Sequence, residues 1–318
     1  MLSIGIDIGG TKILGGTVDA LGNVVSQKRV ASPAQDADAM VQVVSDLILE
    51  LSENAQIDAI GVAAAGFIDA AQSTVLYAPN LSWRNEPLRA RIEERVGRPV
   101  VIENDANAAG WAEFKFGSAR NYGSMMMLTL GTGVGGAVVA DGELMRGGFG
   151  IGGELGHVTV VSGGHKCGCG RLGCVEQYSS GTALLREANL LADSSDPLGQ
   201  RLRELRSESG SLTGHQAYQA VQEDDPGTLM LVNRAAEHLA MAMGSMVAVL
   251  DPEVFVIGGG LSELGEKILR PIRESFSKQL PASGFRPVAD VVLATHSNQA
   301  GVIGAADLAR SSLGKLEA

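Results

Sequence analysis

Short apolar runs separated by glycine turns recur along the chain. Residues 4–22 (IGIDIGGTKILGGTVDALG) contain an apolar run, a glycine turn, a second apolar run and another turn, and residues 127–142 (MLTLGTGVGGAVVADG) repeat this pattern. Each segment predicts a β-hairpin whose connection is rich in glycine and hydroxyl groups. Because one such hairpin opens each half of the chain, the sequence predicts two similar α/β domains facing each other across a cleft.

The second half of the chain is predicted to alternate strands with helices. Asp225 and Pro226 predict the start of a helix that runs to about Leu250, because Asp is a favoured N-cap and Pro is tolerated at the first helical position. A buried strand from Val254 then leads into a third glycine turn at residues 258–260 and a further helix. A layered α/β domain requires this alternation.

The sequence does not favour membrane insertion or secretion. Residues 121–140 carry no charge, but the segment Gly-Thr-Gly-Val-Gly-Gly interrupts them, so two strands around a turn are predicted instead of a spanning helix. The N-terminal segment MLSIGIDIGG has no basic residues and meets an aspartate at position 7, which does not fit a signal peptide.

Composition and charge narrow the class of protein further. The 318 residues are 45% hydrophobic and 19% charged, which suffices for two domains with substantial cores. The net charge of -11 argues against nucleic acid or an anionic membrane as a partner. All three cysteines fall in one cluster and cannot form a disulfide framework, so a reducing, cytoplasmic compartment is expected.

That cluster spans residues 157–174 and adds one histidine, in the order H-x9-C-x-C-x4-C. Four soft ligands at this spacing predict a closed tetrahedral zinc site with a structural role, and the alternative is three neighbouring buried thiols. Glu154 and Glu176 flank the cluster, so a bound metal would fix two carboxylates in space. The four expected ligands are His157, Cys167, Cys169 and Cys174.

The glycine turns also suggest phosphate binding. Backbone amides exposed at a glycine turn, with the hydroxyls of Thr11 and Thr132 beside them, form a concavity that suits phosphate oxygens. A purely structural role in the hairpins is the alternative, since tight turns need glycine in any case. Neither the P-loop pattern nor the dinucleotide-binding pattern is matched, so the sequence predicts a nucleotide site of another type.

The strand that ends in Glu103, Asn104 and Asp105 leads to the candidate catalytic residue, Asp105. It precedes a helix closed by Gly117, so Asp105 has the position of a helix N-cap as well as of a catalytic group. The carboxyl end of a strand is where α/β folds bind ligands, and an Asn-Asp pair there can hold a sugar hydroxyl and remove its proton. Asn80, in an Ala-Pro-Asn-Leu turn, is either a turn residue or a hydrogen-bond donor to a polyol.

Taken in order, these segments resemble the ROK family (repressors, open reading frames and kinases) over essentially the whole chain. The family belongs to the actin-like ATPase and sugar kinase superfamily. The resemblance implies an α/β, two-domain actin-like (ribonuclease H-like) sugar kinase fold with a cleft between the domains. It implies a small domain over residues 1–108, on which a helix at about 298–318 packs, and a large zinc-carrying domain over 109–297. The motifs concerned are Asp7-IGGTK, Glu103-NDANAA, Leu130-GTGVGG, Gly153-ELGH, Cys167-GCGRLGCVE and Ile257-GGG.

Within the family the chain is most similar to the ATP-dependent glucokinases of bacteria. This implies transfer of phosphate from MgATP to the 6-hydroxyl of glucose, and a homo-oligomer, either a dimer or a tetramer. Kinases for N-acetylmannosamine, N-acetylglucosamine or fructose share the same pocket carboxylates and remain open. A sugar-responsive repressor would need a DNA-binding segment before the Asp-x-Gly-Gly-Thr motif, which here begins at residue 7. A noncatalytic, zinc-stabilised sugar-binding module would need neither the phosphate-type turns nor the Asn-Asp pair.

The resemblance also assigns roles to individual residues. Asp105 becomes the general base, and His157 would bind zinc through one ring nitrogen and face the sugar with the other. Asp7 would help to place Mg²⁺ through water. Sugar contacts are implied for Gly66, Asn80, Asn104, Asp105, Glu154, His157 and Glu176. ATP contacts are implied for Asp7, Gly9, Gly10, Thr11, Lys12, Gly131, Thr132, Gly133, Gly258, Gly259, Gly260 and Leu261.

Overall fold

A computed structural model describes residues 2–53, 55–79, 81–206 and 210–316 of the chain. Contacts between residues divide the chain into two units, and the chain passes from one to the other more than once. The first unit comprises Met1–Gly123, Ala137–Gly153 and Thr295–Ala318, and the second comprises Ser124–Gly136 and Glu154–Ala294.

These units differ in their bounds from the predicted domains, which divided the chain after residue 108. The helix that begins at Asp105 continues without a break to Phe116, so a boundary after residue 108 would cut it. Residues 137–153 also belong to the first unit, whereas the prediction placed them in the second domain. The C-terminal segment of the first unit starts at Thr295 and contains a helix over Ala300–Leu316, where the prediction had a helix at about residues 298–318.

Strands dominate the first 123 residues, and the predicted hairpin over residues 4–22 is present as the first two of them. The strand and helix predicted around residues 99–117 are also confirmed. The elements are β1 (Leu2–Ile8), β2 (Lys12–Asp19), β3 (Val24–Ala31), α1 (Ala37–Ser52), β4 (Ile57–Ala64), β5 (Phe67–Ile68), β6 (Val75–Tyr77), β7 (Arg84–Glu86), α2 (Leu88–Val96), β8 (Val101–Asn104) and α3 (Asp105–Phe116).

The rest of the chain alternates strands and helices as predicted, and the uncharged stretch at 121–140 forms two strands around a turn. In the described part of the chain, no helix is long and apolar enough to span a membrane. The elements are β9 (Met125–Leu130), β10 (Val134–Ala140), β11 (Glu143–Leu144), α4 (Glu176–Ser179), α5 (Gly181–Asp193), α6 (Gln200–Leu205), α7 (Gly214–Gln222), α8 (Pro226–Leu250), β12 (Val254–Gly258), α9 (Glu266–Phe276), β13 (Asp290–Leu293) and α10 (Ala300–Leu316).

In the first unit a mixed sheet has the strand order β3-β2-β1-β4-β8. Strands β1, β4 and β8 are parallel to one another, while β2 and β3 continue the sheet antiparallel. Parallel strands end at the same edge, so the carboxyl end of β8 lies at the same edge as that of β1. The core on one face joins apolar side chains of these strands to those of α1 and α2.

Helix α10 packs closely on this sheet because two of its strands carry glycine at the contact. A Cβ added at Gly5 of β1 would lie 1.9 Å from the carbonyl oxygen of Val302, and one at Gly61 of β4 would lie 1.9 Å from that of Ala305. The C-terminal helix therefore approaches β1 and β4 at backbone distance, which larger residues would prevent.

A second sheet has the strand order β11-β10-β9-β12-β13, in which β9, β12 and β13 are parallel. Every residue of β12 is buried, as expected for a strand covered on both faces. Helix α8 confirms its predicted start, since the Asp225 carboxylate accepts a hydrogen bond from the amide of Thr228 at 2.8 Å. Helices α5 to α8 form a further apolar cluster built largely from alanine and leucine.

Candidate active site

Asp7 lies near the carboxyl end of β1, directly before the first glycine turn. Burial, reinforced by the charge of Asp105 and opposed by that of Lys12, raises the pKa of Asp7 to about 7. Helix α10 passes close by, because a Cβ added at Gly301 would lie 2.7 Å from the carboxyl carbon of Asp7. The first unit thus holds two coupled carboxyl groups, Asp7 and Asp105.

The predicted phosphate-binding turn of the first unit connects β1 to β2. The amide of Gly9 donates to the carbonyl of Lys12 at 3.0 Å, and Thr11 accepts through its carbonyl from the amide of Ser32. Gly9 and Gly10 are partly exposed, and Thr11 and Lys12 are exposed. The turn residues are therefore open to a ligand at the edge of the sheet where β1 ends.

The junction of β8 and α3 separates the two roles that the sequence left open for Asp105. Asn104 is the N-cap: its side-chain oxygen accepts from the amide of Asn107 at 3.0 Å, and its amide nitrogen donates to the carbonyl of Gly66 at 3.0 Å. Asp105 is the first residue of the helix, and its carboxylate accepts from the amide of the next residue, Ala106, at 2.9 Å. Burial raises the pKa of Asp105, which strengthens its carboxylate as a base.

Glu103 is a buried carboxylate that the sequence did not single out. One of its oxygens accepts from the amide of Asn104 and the side chain of Asn107, at 3.0 and 3.1 Å. The other accepts from Arg146 at 2.7 Å and Gln72 at 3.1 Å. These donors satisfy a charge that would otherwise be costly to bury, and they fix the backbone immediately before Asp105. The position of Glu103 directly before the Asn-Asp pair was the sequence signal that could have identified it.

In the second unit, the turn between β9 and β10 borders a largely apolar cavity of about 460 Å³. Its walls come from α5, α7 and α8, including Leu185, Val221 and Leu231. The predicted nucleotide residues Gly133, Gly258 and Gly259 do not line this cavity. Those that do line it are Gly131, Thr132, Gly260 and Leu261.

The predicted metal ligands come together in the second unit. The Sγ atom of Cys167 lies 3.6 Å from Nδ1 of His157, and the Sγ atoms of Cys169 and Cys174 are 3.7 Å apart. All four ligand atoms lie within 4.8 Å of one another. The arrangement therefore presents one nitrogen and three sulfur atoms to a common point.

Glu154 and Glu176 both lie beside this cluster, as expected from their place in the sequence. An oxygen of Glu154 lies 3.9 Å from Nε2 of His157. Glu176 begins α4; one of its oxygens lies 3.5 Å from the Sγ atom of Cys167, and the other accepts from the amide of Val134 at 3.1 Å. The carboxylate of Glu176 thus connects the cysteine cluster with the end of the second glycine turn.

The remaining predicted sugar contacts belong to the first unit. Gly66 is held through its carbonyl by Asn104, and a Cβ added at Gly66 would lie 2.7 Å from the carbonyl oxygen of Tyr77. Asn80 lies outside the described residues. The structure thus groups the predicted residues as Asp7, residues 9–12, Gly66, Asn104 and Asp105 in one unit, and all of the others except Asn80 in the second.

The chain is similar to known proteins over nearly its whole length. The model of the ROK family matches residues 3–312. A glucokinase of Streptomyces coelicolor is 41% identical over 97% of this chain and 98% of its own length. The crystal structure of a ROK family glucokinase from Streptomyces griseus, in complex with glucose and AMPPNP, superposes with a TM-score of 0.88 at 41% identity, covering 98% of this chain and 100% of that one. The ROK hexokinase from Thermus thermophilus follows with a TM-score of 0.81 at 31% identity, covering 99% and 100% of the two chains.

The chain belongs to the ROK family. Its fold is the mixed α/β fold of the ROK sugar kinases, which confirms the predicted fold class.

Proposed function

We propose that the chain is an ATP-dependent glucokinase that converts glucose to glucose 6-phosphate. The observation that carries the proposal is the position of Asp105 at the carboxyl end of β8. Its carboxylate does not cap α3, because Asn104 is the N-cap. The choice of glucose is supported by the similarity to glucokinases over nearly the full chain. A base at the end of β8, at the same sheet edge as the glycine turn after β1, suits phosphoryl transfer to a hydroxyl group.

Residues of the first unit would carry out the proton transfer. Asp105 takes the proton of the 6-hydroxyl while that oxygen bonds to the γ-phosphorus and the bond to the bridging oxygen breaks, releasing ADP. Asp7 would help to place Mg²⁺ through water, as a carboxylate suits that cation. The turn at residues 9–12 binds phosphate oxygens through its amides, with Lys12 adding positive charge. Asn104 binds the sugar and Gly66 borders it. Asn80 remains a predicted contact.

Residues of the second unit would bind the remaining groups of the two substrates. Glu154, His157 and Glu176 hydrogen-bond to sugar hydroxyls, and the turn at residues 131–133 binds phosphates. The cavity of about 460 Å³ accepts the adenosine, because its apolar walls suit the faces of a base. Residues 258–261 form one side of this binding region, with Gly260 and Leu261 at the cavity.

The cysteine cluster is proposed to hold one structural zinc ion. A tetrahedral site with Zn–S bonds of about 2.3 Å and a Zn–N bond of about 2.0 Å separates two sulfur atoms by about 3.8 Å, and a sulfur from a nitrogen by about 3.5 Å. The corresponding distances of 3.7 and 3.6 Å in the cluster fit this geometry. The ion would supply a rigid support for the loop that carries Glu154 and Glu176, and His157 would bind it through Nδ1.

Elemental analysis of protein purified without added metal tests this proposal. One zinc per chain is expected, and Cys169→Ser should lose it together with thermal stability, because metal binding and folding are linked. Ser211→Ala is a matched control outside the cluster and should keep a full equivalent of zinc. Protein that is active without metal would contradict the proposed structural role.

A coupled assay across a panel of sugars tests the glucokinase proposal. Glucose should give a higher kcat/KM than mannose, fructose, N-acetylglucosamine or N-acetylmannosamine, because a pocket built to bind a hydroxyl leaves its own polar groups unpaired when the hydroxyl is missing. A higher value for an N-acetylhexosamine would replace glucose by that sugar while retaining the kinase. Polyphosphate replaces ATP in a second series, and only the nucleotide should serve as donor.

A homo-oligomer and a cytoplasmic location are part of the same proposal. Met241 and Val249 are exposed apolar residues two helical turns apart on α8, with exposed fractions of 41% and 79%. Light scattering coupled to size exclusion should report a dimer or tetramer. A cytoplasmic location suits a cluster of free thiols, and cell fractionation checks it.

A further inference from the structure

The second glycine turn is held at its C-terminal end by the side chain of Glu176. The amide of Val134 donates to a carboxylate oxygen of Glu176 at 3.1 Å. A Cβ added at Gly133 would lie 2.3 Å from the same oxygen. A side chain at position 133 would therefore displace the carboxylate of Glu176.

The same short segment also holds the N-terminal end of the turn. The amide of Gly181, the first residue of α5, donates to the carbonyl of Gly131 at 2.8 Å. A Cβ added at Gly181 would lie 2.9 Å from that carbonyl oxygen. Residues 176–181 thus contact both ends of the turn that borders the apolar cavity.

This segment is in turn fixed to the cysteine cluster. The expected metal ligand Cys174 lies two residues before Glu176, and its carbonyl accepts from the amide of Gln177 at 2.9 Å. The amide of Val175 donates to the carbonyl of Val158, next to the expected ligand His157, at 2.8 Å. On its other side, the hydroxyl of Ser179 donates to the carbonyl of Ala235 in α8 at 2.8 Å. The turn, the segment and the cluster form one connected structure within the second unit.

We propose that Glu176 is a positioning residue through which zinc in the cysteine cluster raises the nucleotide affinity of the turn at residues 131–133. The proposal rests on the proposed zinc site and nucleotide site. Zinc fixes the start of α4, Glu176 then holds the amide of Val134 in place, and the turn needs less ordering when it binds phosphate. With zinc bound, Cys167 is a thiolate and donates no hydrogen bond, so the coupling runs through the backbone from Cys174 to Glu176.

Linkage makes this coupling measurable from both sides. If zinc strengthens nucleotide binding by a given factor, the nucleotide strengthens zinc binding by the same factor. The first experiment measures the Kd of AMPPNP with Mg²⁺, without sugar, by calorimetry on zinc-loaded and zinc-depleted protein. Depletion is expected to raise the Kd by about 5- to 150-fold. The second follows the equilibrium release of zinc from loaded protein to a chelating dye, which saturating AMPPNP should reduce by the same factor.

Variants at position 176 separate positioning from general stability. Glu176→Gln keeps an oxygen that can accept from Val134 and should keep the effect of AMPPNP on zinc release. Glu176→Ala removes that oxygen and should abolish the effect although zinc remains bound. Gly133→Ala, whose Cβ meets the same oxygen, should also weaken the coupling. A residue that acted only through stability would change zinc retention equally with and without nucleotide.

The possible results distinguish this proposal from the proposed function. If AMPPNP does not bind the zinc-loaded wild type, both proposals are wrong. A second possible result is that AMPPNP binds, but its Kd does not depend on zinc and zinc release does not depend on AMPPNP. This result would overturn the coupling and leave the kinase proposal standing. Should depleted protein unfold, the release experiment on loaded protein still decides, because it never requires the depleted state.

Discussion

The turn after β1 in the first unit and the turn after β9 in the second are similar hairpin connections with different surroundings. In each, the amide of the first turn glycine donates across the turn at 3.0 Å, from Gly9 to Lys12 and from Gly131 to Gly133. Two residues before the turn, however, the first unit has Asp7 and the second has Thr129. The first turn therefore lies beside a half-buried carboxyl group, which suits a cation, and the second borders an apolar cavity.

The turns also differ in what supports them. The first is backed by α10, whose Gly301 lies against Asp7. The second is contacted at both ends by residues 176–181, which follow the cysteine cluster. A repeated sequence pattern thus predicts a repeated backbone form, while the chemistry at each copy depends on the elements that pack around it.

Removing the proposed base of the first unit should have the largest effect. Asp105→Asn keeps the shape of the side chain but cannot accept the proton, so kcat should fall about 100- to 10,000-fold while the Kd for glucose changes little. Asp46→Asn, at an exposed position of α1, is the matched control and should leave kcat unchanged. A near wild-type kcat in the Asp105 variant would show that the chemistry lies elsewhere.

The pH dependence of stability and of activity should reveal the carboxyl group of Asp7 beside the first turn, which has no counterpart beside the second. The pKa of Asp7 is about 7 in the folded chain, whereas an unperturbed aspartate has a pKa of 3.8. Between about pH 4 and pH 7 the folded state therefore binds more protons than the unfolded state. Stability without Mg²⁺ should therefore fall as pH rises from about 4 to 7. Activity should change in the opposite direction, with kcat/KM falling by up to about tenfold per pH unit below 7, because Asp7 must be ionised.

Thermal melts and pH–rate profiles of wild type and Asp7→Asn check this expectation. The variant should lose the fall in melting temperature between pH 4 and 7. A wild-type melting temperature that rises steadily over that range would contradict the raised pKa of Asp7.

Neutralising Glu103 should loosen the support of Asp105 without touching a substrate group. Glu103→Gln leaves Arg146 without its charged partner and should cost about 1–3 kcal/mol of unfolding free energy, measured in urea. The control Glu50→Gln removes an exposed ion pair with Lys28 and should cost less than about 1 kcal/mol. Equal losses in the two variants would mean that the buried network is not an important support.

The smallest expected difference concerns the close approach behind the second turn. Gly97 has the left-handed conformation, in which alanine costs roughly 1–2 kcal/mol, whereas Gly259, at φ 80° and ψ 176°, has a conformation that essentially only glycine adopts. A Cβ at Gly259 would also lie 2.6 Å from the backbone of Leu130, whereas one at Gly97 meets nothing within 4 Å. Gly259→Ala should therefore cost more in urea unfolding than Gly97→Ala, and the reverse order would refute the close packing.

Features that depend on neighbouring residues could be predicted from the sequence. The two hairpins, helix α8 with its Asp225 cap, and the cysteine cluster all follow from residues close together in the chain. Local spacing fixes which backbone turns form and which ligands can reach one point, because few conformations connect such near neighbours. The strand and helix around Asp105 followed from the same kind of pattern.

The tertiary structure alone decided what each of these pieces does. Asn104 caps the helix locally, but its side-chain amide also donates to the carbonyl of Gly66, 38 residues away. Arg146 meets Glu103 across 43 residues, and Val134 meets Glu176 across 42. No periodicity encodes such pairs, since they exist only once separate strands and helices have packed, and the burial that raises the pKa of Asp7 and Asp105 arises from the same packing.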